Sequence, residues 1–345
     1  MATERVRVLI GTPLSEELVA RIRAVDPRVE VAFRPDLLGT ARYDGDHYAP
    51  AGRDADREAE FRTLLAETEV LFDFDATTAA QLTTLAPRLR WVQSTSAGVG
   101  QAAKRFGLDK TDVIVTTASG VHAVPLAEFV LMAMLMFTKR HGFLLELKAQ
   151  RKFTKFASST LPGKTLAIIG PGKIGREIAR LARPFGVRLT ALGRVAHYAE
   201  ELGVDQVYRR EQLHTMLGEA DFVVLAVPHT DETEGLLGAA EIAAMKPGAI
   251  LINIARGLIV DEDALIAALR DGHLAGAALD VFRQEPLPTD SPFWDLPNVI
   301  INSHSASTAE GENAKIVALF CDNLRHYLAG ETAQMHNVLD KALLY

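Results

Sequence analysis

Apolar residues in this chain fall into short dense runs, separated by longer stretches in which they recur every third or fourth position. The runs at Val6–Ile10, Val29–Phe33, Val70–Phe74, Arg90–Gln93 and Val113–Thr116 predict strands, and the stretches between them predict helices. Strands that alternate with helices need crossover connections, so they pair in parallel and are covered on both faces. The rhythm resumes with Thr165–Ile169, Val187–Leu192, Phe222–Ala226, Ala249–Asn253, Ala275–Leu279 and Val299–Ile301. The pattern therefore predicts two α/β domains with parallel sheets. A last helical stretch, about Thr308 to Leu328, follows the final strand, and too little chain remains for a third domain. It is expected to return to the first. The expected division is 1–120 plus 310–345 for a discontinuous first domain, and 121–309 for an inserted second one.

Two segments interrupt this rhythm. Residues 39–56, rich in Arg, Asp, Gly and Tyr, read as a long surface loop; a solvated excursion is favoured over an active-site flap. From His122 towards Gln150, Leu126, Phe129, Val130, Ala133, Met134 and Phe137 recur at helical spacing and predict one long helix. Its apolar breadth suits a helix that links domains or meets a second subunit, and a homodimer through the 122–150 region is expected.

Length and composition are consistent with this organisation. At 345 residues the chain exceeds what one core usually supports. A net charge of -7, from 37 basic and 44 acidic residues, argues against a nucleic-acid surface built on bulk positive charge. The longest apolar stretch, Phe129–Phe137, is far shorter than a membrane span, and the first ten residues pass into strand-like alternation with no export signal. The single cysteine, Cys321, lies in an apolar helical run and reads as a buried inert thiol. A soluble cytoplasmic protein with no nucleic-acid partner, no membrane and no metal is expected.

Candidate chemistry begins at Thr165-Leu-Ala-Ile-Ile-Gly-Pro-Gly-Lys-Ile-Gly175. A buried strand runs into Gly170, Gly172 and Gly175 and then into a helical run, Lys173–Ala182. The first glycine permits a tight turn, the second lets a pyrophosphate approach the backbone, and the third lets helix and strand pack closely. The following strand, Val187–Leu192, completes a βαβ unit, so the loop reads as a dinucleotide site rather than a plain turn. Further along, three segments each place a polar group just beyond a strand: Asn253-Ile-Ala-Arg256-Gly, Leu279-Asp280-Val-Phe-Arg-Gln-Glu285-Pro, and Asn302-Ser-His304. An arginine offers a fork of donors to a carboxylate. A histidine exchanges protons near neutrality, and a neighbouring glutamate orients it. Each has a plain alternative: Arg256 as a helix-start contact, Glu285 as an ordinary loop acid, His304 as a satisfied imidazole. Trp294 reads either as a pocket wall or as core.

With these motifs in order, the chain resembles the D-isomer-specific 2-hydroxyacid dehydrogenase family from about Leu89 to His304. The matching stretches are Arg90-Trp-Val-Gln-Ser-Thr-Ser-Ala-Gly-Val, Ser119-Gly-Val-His-Ala with Ala127-Glu128, and Gly-Pro-Gly-Lys-Ile-Gly. Val227-Pro-His-Thr with Thr233, Asn-Ile-Ala-Arg-Gly, Leu-Asp-Val-Phe with Glu285-Pro, and Trp294-Asp-Leu-Pro-Asn-Val leading to His304 complete the set. The resemblance implies two Rossmann-like domains, a discontinuous flavodoxin-like substrate domain and an inserted dinucleotide-binding domain. It implies reduction of a small 2-oxo acid to the D-2-hydroxy acid, and the reverse, in a cleft between domains. Arg256 would hold the substrate carboxylate and polarise its carbonyl, His304 would be the acid/base, and Glu285 its partner. Amides near Ala97 and Gly98 would bind the carboxylate. The cofactor would lie on Gly170, Gly172, Lys173, Ile174, Gly175, Arg194, Pro228 and Thr233, with Asp280 accepting a hydrogen bond from the nicotinamide amide.

Two positions depart from the family pattern. Ser303 stands where a proline commonly precedes the catalytic histidine. Gly193 stands where an acid would chelate the adenosine ribose, and Arg194 follows it. A carboxylate there would repel a 2′-phosphate, whereas glycine leaves room and arginine offers a partner, so NADP(H) is favoured over NAD(H). Glyoxylate, hydroxypyruvate, pyruvate and bulkier 2-oxo acids all stay open as substrates. The alternatives in function are a nicotinamide-responsive regulatory protein of the same fold, and a dehydrogenase of the formate or phosphite type.

Overall fold

The structure, a computed structural model, describes residues 5–193 and 199–345. The described residues form two compact units, one from residues 5–122 with Thr308–Tyr345, the other from the described residues of Ala123–Ser307. The first unit holds a five-stranded parallel sheet of β1 (Val6–Ile10), β2 (Val29–Ala32), β3 (Val70–Phe72), β4 (Trp91–Gln93) and β5 (Ile114–Thr116), in the order β2-β1-β3-β4-β5. That is the flavodoxin-like order, with its direction of winding reversing between β1 and β3. One apolar layer on Trp91, Phe72 and Val8 is closed by the helix Glu312–Leu328, whose Phe320 ring stacks on Trp91 at 4.9 Å. The other, around Leu9, Leu71 and Val92, packs under the helix Ala55–Glu67 through Phe61 and Leu65.

The second unit holds seven parallel strands: β6 (Thr165–Ile169), β7 (Arg188–Leu192), β8 (Gln206–Tyr208), β9 (Phe222–Leu225), β10 (Ile250–Asn253), β11 (Gly276–Leu279) and β12 (Val299–Ile301). Their order, β12-β11-β10-β9-β6-β7-β8, is that of a Rossmann sheet with one added strand. Every residue of β6, β9, β10 and β11 is buried, as a sheet covered on both faces requires. The helix Ala123–Thr138 packs on the helix Lys173–Ala182, and a Cβ added at Gly276 would lie 2.3 Å from the Phe137 ring.

Registers set what emerges at the sheet edges. Ile169 pairs with Leu225, Leu225 with Asn253, Asn253 with Leu279, and Leu279 with Ile301. Gly170, Ile254, Asp280 and Asn302 therefore leave the sheet side by side at its carboxyl edge, where open parallel sheets bind ligands.

Four expectations need correction. The long helix is two helices, Ala123–Thr138 and His141–Ala149, because Arg140 turns to φ +56 and its guanidinium settles over the Phe143 ring at 4.5 Å. The C-terminal helix starts at Glu312, since Gly311 takes φ +74 ahead of it. β3 stops at Phe72 because Asp73 turns to φ +68. The 39–56 loop is exposed over most of its length, yet it is no free excursion. Asp46 and the side chains of His47 and Arg53 turn inward, and Arg53 pairs with Asp75 at 2.7 Å and Glu58 at 2.8 Å. The edge strand β8 went unread because its three residues carry no apolar run. Cys321 is buried in its helix, and burial pushes its thiol pKa up.

Candidate active site

The glycine loop closes the end of β6. Gly170 sits at φ +102, and a Cβ there would fall 2.6 Å from Ala226 O, so no other residue fits without displacing backbone. A Cβ at Gly175 would lie 2.4 Å from Gly170 O, so the helix Lys173–Ala182 packs directly on the turn. Gly172, by contrast, caps that helix with no side-chain partner, and a Cβ there would meet nothing within 4 Å. Open space before a helix N-terminus is the cradle that a pyrophosphate fills, so these residues fit a dinucleotide. Lys173 is exposed at the first turn, though partial burial lowers its ammonium pKa, and Ile174 is half-buried behind it. Thr233 organises the loop after β9: its hydroxyl donates to Pro228 O at 2.7 Å and accepts from the Thr230 N–H at 2.8 Å. Gly193 follows β7, its N–H on Tyr208 O at 3.0 Å. Arg194 lies outside the described residues.

Arg256 follows β10 in a loop that Asn253 builds. The buried Asn253 accepts the Ala255 N–H at 3.0 Å and donates to Arg256 O at 3.1 Å. The half-buried guanidinium donates to Ala255 O at 2.7 Å. Gly257 lets this loop touch the one after β11, since a Cβ there would come within 1.9 Å of Phe282 C. Arg256 and Glu285 are thereby brought near enough for the arginine's charge to act on the carboxyl.

Glu285 Oε2 meets His304 Nδ1 at 2.7 Å, and its Oε1 accepts the Phe282 N–H at 2.9 Å. Burial works to raise the Glu285 pKa, but the His304 hydrogen bond, the Phe282 N–H and the charges of His304 and Arg256 outweigh it, and the value is lowered. With Nδ1 committed to the carboxylate, the imidazole presents Nε2 on its far side, the arrangement in which a carboxylate orients an acid/base histidine. His304 itself stands at φ +52, a strained conformation for a residue with a side chain. Asp280 holds it there. Its backbone O accepts the His304 N–H at 2.8 Å, while the single oxygen Oδ1 accepts from Asn302 Nδ2 at 2.7 Å, Ser305 N at 2.9 Å and Ala306 N at 3.0 Å. Ser303 sits inside this wrapped turn, whose shape the Asp280 carboxylate sets. Asn253 and Asn302 lay inside the motifs read from sequence, but nothing in residue spacing gave their roles.

In the first unit, Ala97 and Gly98 lie on the loop after β4, where Gly98 N donates to Ser96 Oγ at 3.3 Å. Trp294 is half exposed and donates to Pro288 O at 2.8 Å, so it is not core.

The sequence model described as "D-isomer specific 2-hydroxyacid dehydrogenase, NAD binding domain" matches residues 131–306. The glyoxylate reductase of Korarchaeum cryptofilum is 35% identical over 266 residues, covering 73% of this chain and 77% of that protein. The chain belongs to the D-isomer specific 2-hydroxyacid dehydrogenase family. It is accordingly a nicotinamide-dependent oxidoreductase acting on the CH–OH group of a 2-hydroxy acid. Among solved structures, an NADPH-dependent glyoxylate/hydroxypyruvate reductase from Sinorhizobium meliloti, in complex with NADP and sulfate, superposes with a TM-score of 0.80 at 26% identity. That match covers 99% of this chain and 100% of the other. A D-isomer specific 2-hydroxyacid dehydrogenase from Xanthobacter autotrophicus, in complex with NADPH and MES, gives 0.79 at 28% identity over 99% and 100% of the two chains.

Proposed function

We propose that this dehydrogenase reduces a small 2-oxo acid of the glyoxylate or hydroxypyruvate kind to its D-2-hydroxy acid, favouring NADPH. The observation that carries the reading is the 2.7 Å contact of Glu285 with His304 Nδ1, on the same sheet edge as Arg256 and the glycine loop. Gly170, Gly172, Lys173, Ile174 and Gly175, with Pro228, Thr233 and Asp280, would hold the cofactor. When bound, it supplies the hydride that adds to the carbonyl carbon. Arg256 binds the substrate carboxylate and draws electron density from the carbonyl, assisted by the Ala97 and Gly98 amides. His304 gives its Nε2 proton to the carbonyl oxygen, and Glu285 stabilises the charged imidazole before that transfer. Fixed donors of this kind supply several kcal/mol because they need not reorganise as charge develops.

The preference for NADPH rests on Gly193, which puts no carboxylate at the end of β7, and on Arg194 beside it. Relatives named glyoxylate reductase and NADPH-dependent glyoxylate/hydroxypyruvate reductase support the substrate class. A homodimer in the cytoplasm completes the reading. Val124, Met132, Leu144, Leu145 and Phe153 expose apolar surface across the two helices of residues 123–149 and the segment after them, as a subunit contact requires. No helix among the described residues is long and apolar enough to cross a membrane.

Steady-state kinetics with a panel of 2-oxo acids and both reduced cofactors test this reading. The expected result is turnover of glyoxylate or hydroxypyruvate with a higher kcat/KM for NADPH than for NADH. Absence of turnover with every 2-oxo acid overturns it, and a clear advantage for NADH overturns the cofactor preference.

A further inference from the structure

The first unit carries a buried polar chain that the reaction described above does not use. It lies at the carboxyl edge of the first sheet, where Ile10 pairs with Phe72 and Phe72 with Gln93. Gly11, Asp73 and Ser94 leave the sheet side by side there, followed by Thr12 and Thr95, and Thr12, Asp73 and Thr95 are buried. Asp73, at φ +68, meets Thr95 through both carboxylate oxygens: Oδ1 accepts the Thr95 N–H at 3.2 Å and Oδ2 accepts the Thr95 hydroxyl at 2.8 Å. The turn then propagates, with Ser94 Oγ accepting Ser96 N at 3.1 Å and Ser96 Oγ accepting Gly98 N at 3.3 Å. A Cβ on Gly11 would come within 2.7 Å of Asp73 O, so the strained residue fits only against a glycine.

The charge of His47, delivered by the 39–56 loop, also acts on Asp73. His47 Nδ1 lies 3.2 Å from the Thr12 hydroxyl, and its Nε2 is 3.5 Å from Glu312 Oε1, while His122 Nε2 meets the same oxygen at 3.0 Å. Burial pushes the Asp73 pKa up, and the His47 charge and the Thr95 hydrogen bonds work against that. A buried acid in a strained conformation costs stability, and such features persist where they fix a functional element.

We propose that Asp73 is a positioning residue for the substrate carboxylate: it fixes the Thr95–Gly98 turn that carries the Ala97 and Gly98 amides, the Gly98 N–H exchanging Ser96 Oγ for the carboxylate when substrate binds. The proposal rests on the reading of those amides as carboxylate ligands.

Asp73→Asn and Thr95→Val test it by hydrogen–deuterium exchange over residues 94–100, together with kinetics on glyoxylate and NADPH binding, each variant first shown to melt cooperatively. Both variants are expected to exchange faster in that segment. Asp73→Asn should raise the KM for glyoxylate about tenfold with kcat little changed and NADPH binding intact, the scale of one lost charge-assisted contact. Thr95→Val, which keeps the backbone bond, should show a smaller rise. Unchanged exchange in Asp73→Asn overturns the proposal, and so does faster exchange with an unmoved KM. Failure of the wild type to reduce any 2-oxo acid removes the substrate reading alone, and the exchange measurement still decides whether Asp73 fixes the turn.

Discussion

Replacing Asp280 by asparagine probes the element on which the proposed chemistry stands. One carboxylate oxygen, on a residue 2% exposed, gathers Asn302 Nδ2, Ser305 N and Ala306 N at 2.7 to 3.0 Å, and so holds His304 at φ +52. An amide oxygen can occupy the same position, but it accepts without a full negative charge, and each of the three bonds then weakens by roughly 1 kcal/mol. The total is about 3 kcal/mol, which in a unit of this size corresponds to a fall in Tm of roughly 6–12 °C. Calorimetry without cofactor isolates this effect from any contact Asp280 makes with nicotinamide. In parallel, kcat should fall about tenfold or more as the His304 turn loosens and its imidazole loses alignment. A Tm within about 2 °C of wild type, with normal kcat, would refute the argument that this oxygen holds the turn.

Three further outcomes follow from the geometry. Gly193→Asp should move the ratio of kcat/KM for NADPH over NADH down by about tenfold or more, since a carboxylate at the end of β7 repels a 2′-phosphate; an unchanged ratio contradicts the assignment. Gly170→Ala forces a Cβ to within 2.6 Å of Ala226 O at φ +102, and should cost roughly 1–3 kcal/mol of stability and weaken cofactor binding measured by fluorescence titration. Although burial pushes the Glu312 carboxyl up, His122 and His47 hold its pKa at about 2, below the ordinary 4.5. Its ionised form therefore stabilises the first unit at pH above the ordinary carboxylate range, and that contribution, up to about 3 kcal/mol, is lost as pH falls from 4.5 towards 2. Urea titrations across that window should show a flatter loss of stability in Glu312→Gln; parallel curves for the two proteins would be the contrary result.

Much of the fold was legible, and the candidate site residues lie where strands end. Fully buried strands read as apolar runs, and parallel register brings the segments that follow them to one edge, so Gly170, Arg256, Asp280, Glu285 and His304 could be marked as candidates, although Arg256, Glu285 and His304 each kept a plain alternative until the family resemblance implied their roles. The glycines were legible for a related reason: Gly170 and Gly175 occupy places where a Cβ has no room, and Gly172 leaves open space before a helix N-terminus. What stayed hidden depends on contacts between distant parts of the chain. Nothing local marks His47 as buried, because its partners are Thr12 and Glu312, 35 and 265 residues away in sequence. The break at Arg140 was masked by unbroken helical periodicity on both sides, and only the stacking on Phe143 reveals what offsets its positive φ. Asp73 falls in an apolar run that reads as strand to Phe74, and its turn away from the sheet is set by Thr95.

The central claim is that His304 carries the proton that completes reduction. Its most direct test is the rate of NADPH oxidation by glyoxylate in His304→Ala, with NADPH affinity measured on the same protein. The account predicts a fall in kcat of about 10²–10⁴ with cofactor affinity close to that of the wild type. A variant that binds cofactor normally and still turns over at near the wild-type rate would contradict it.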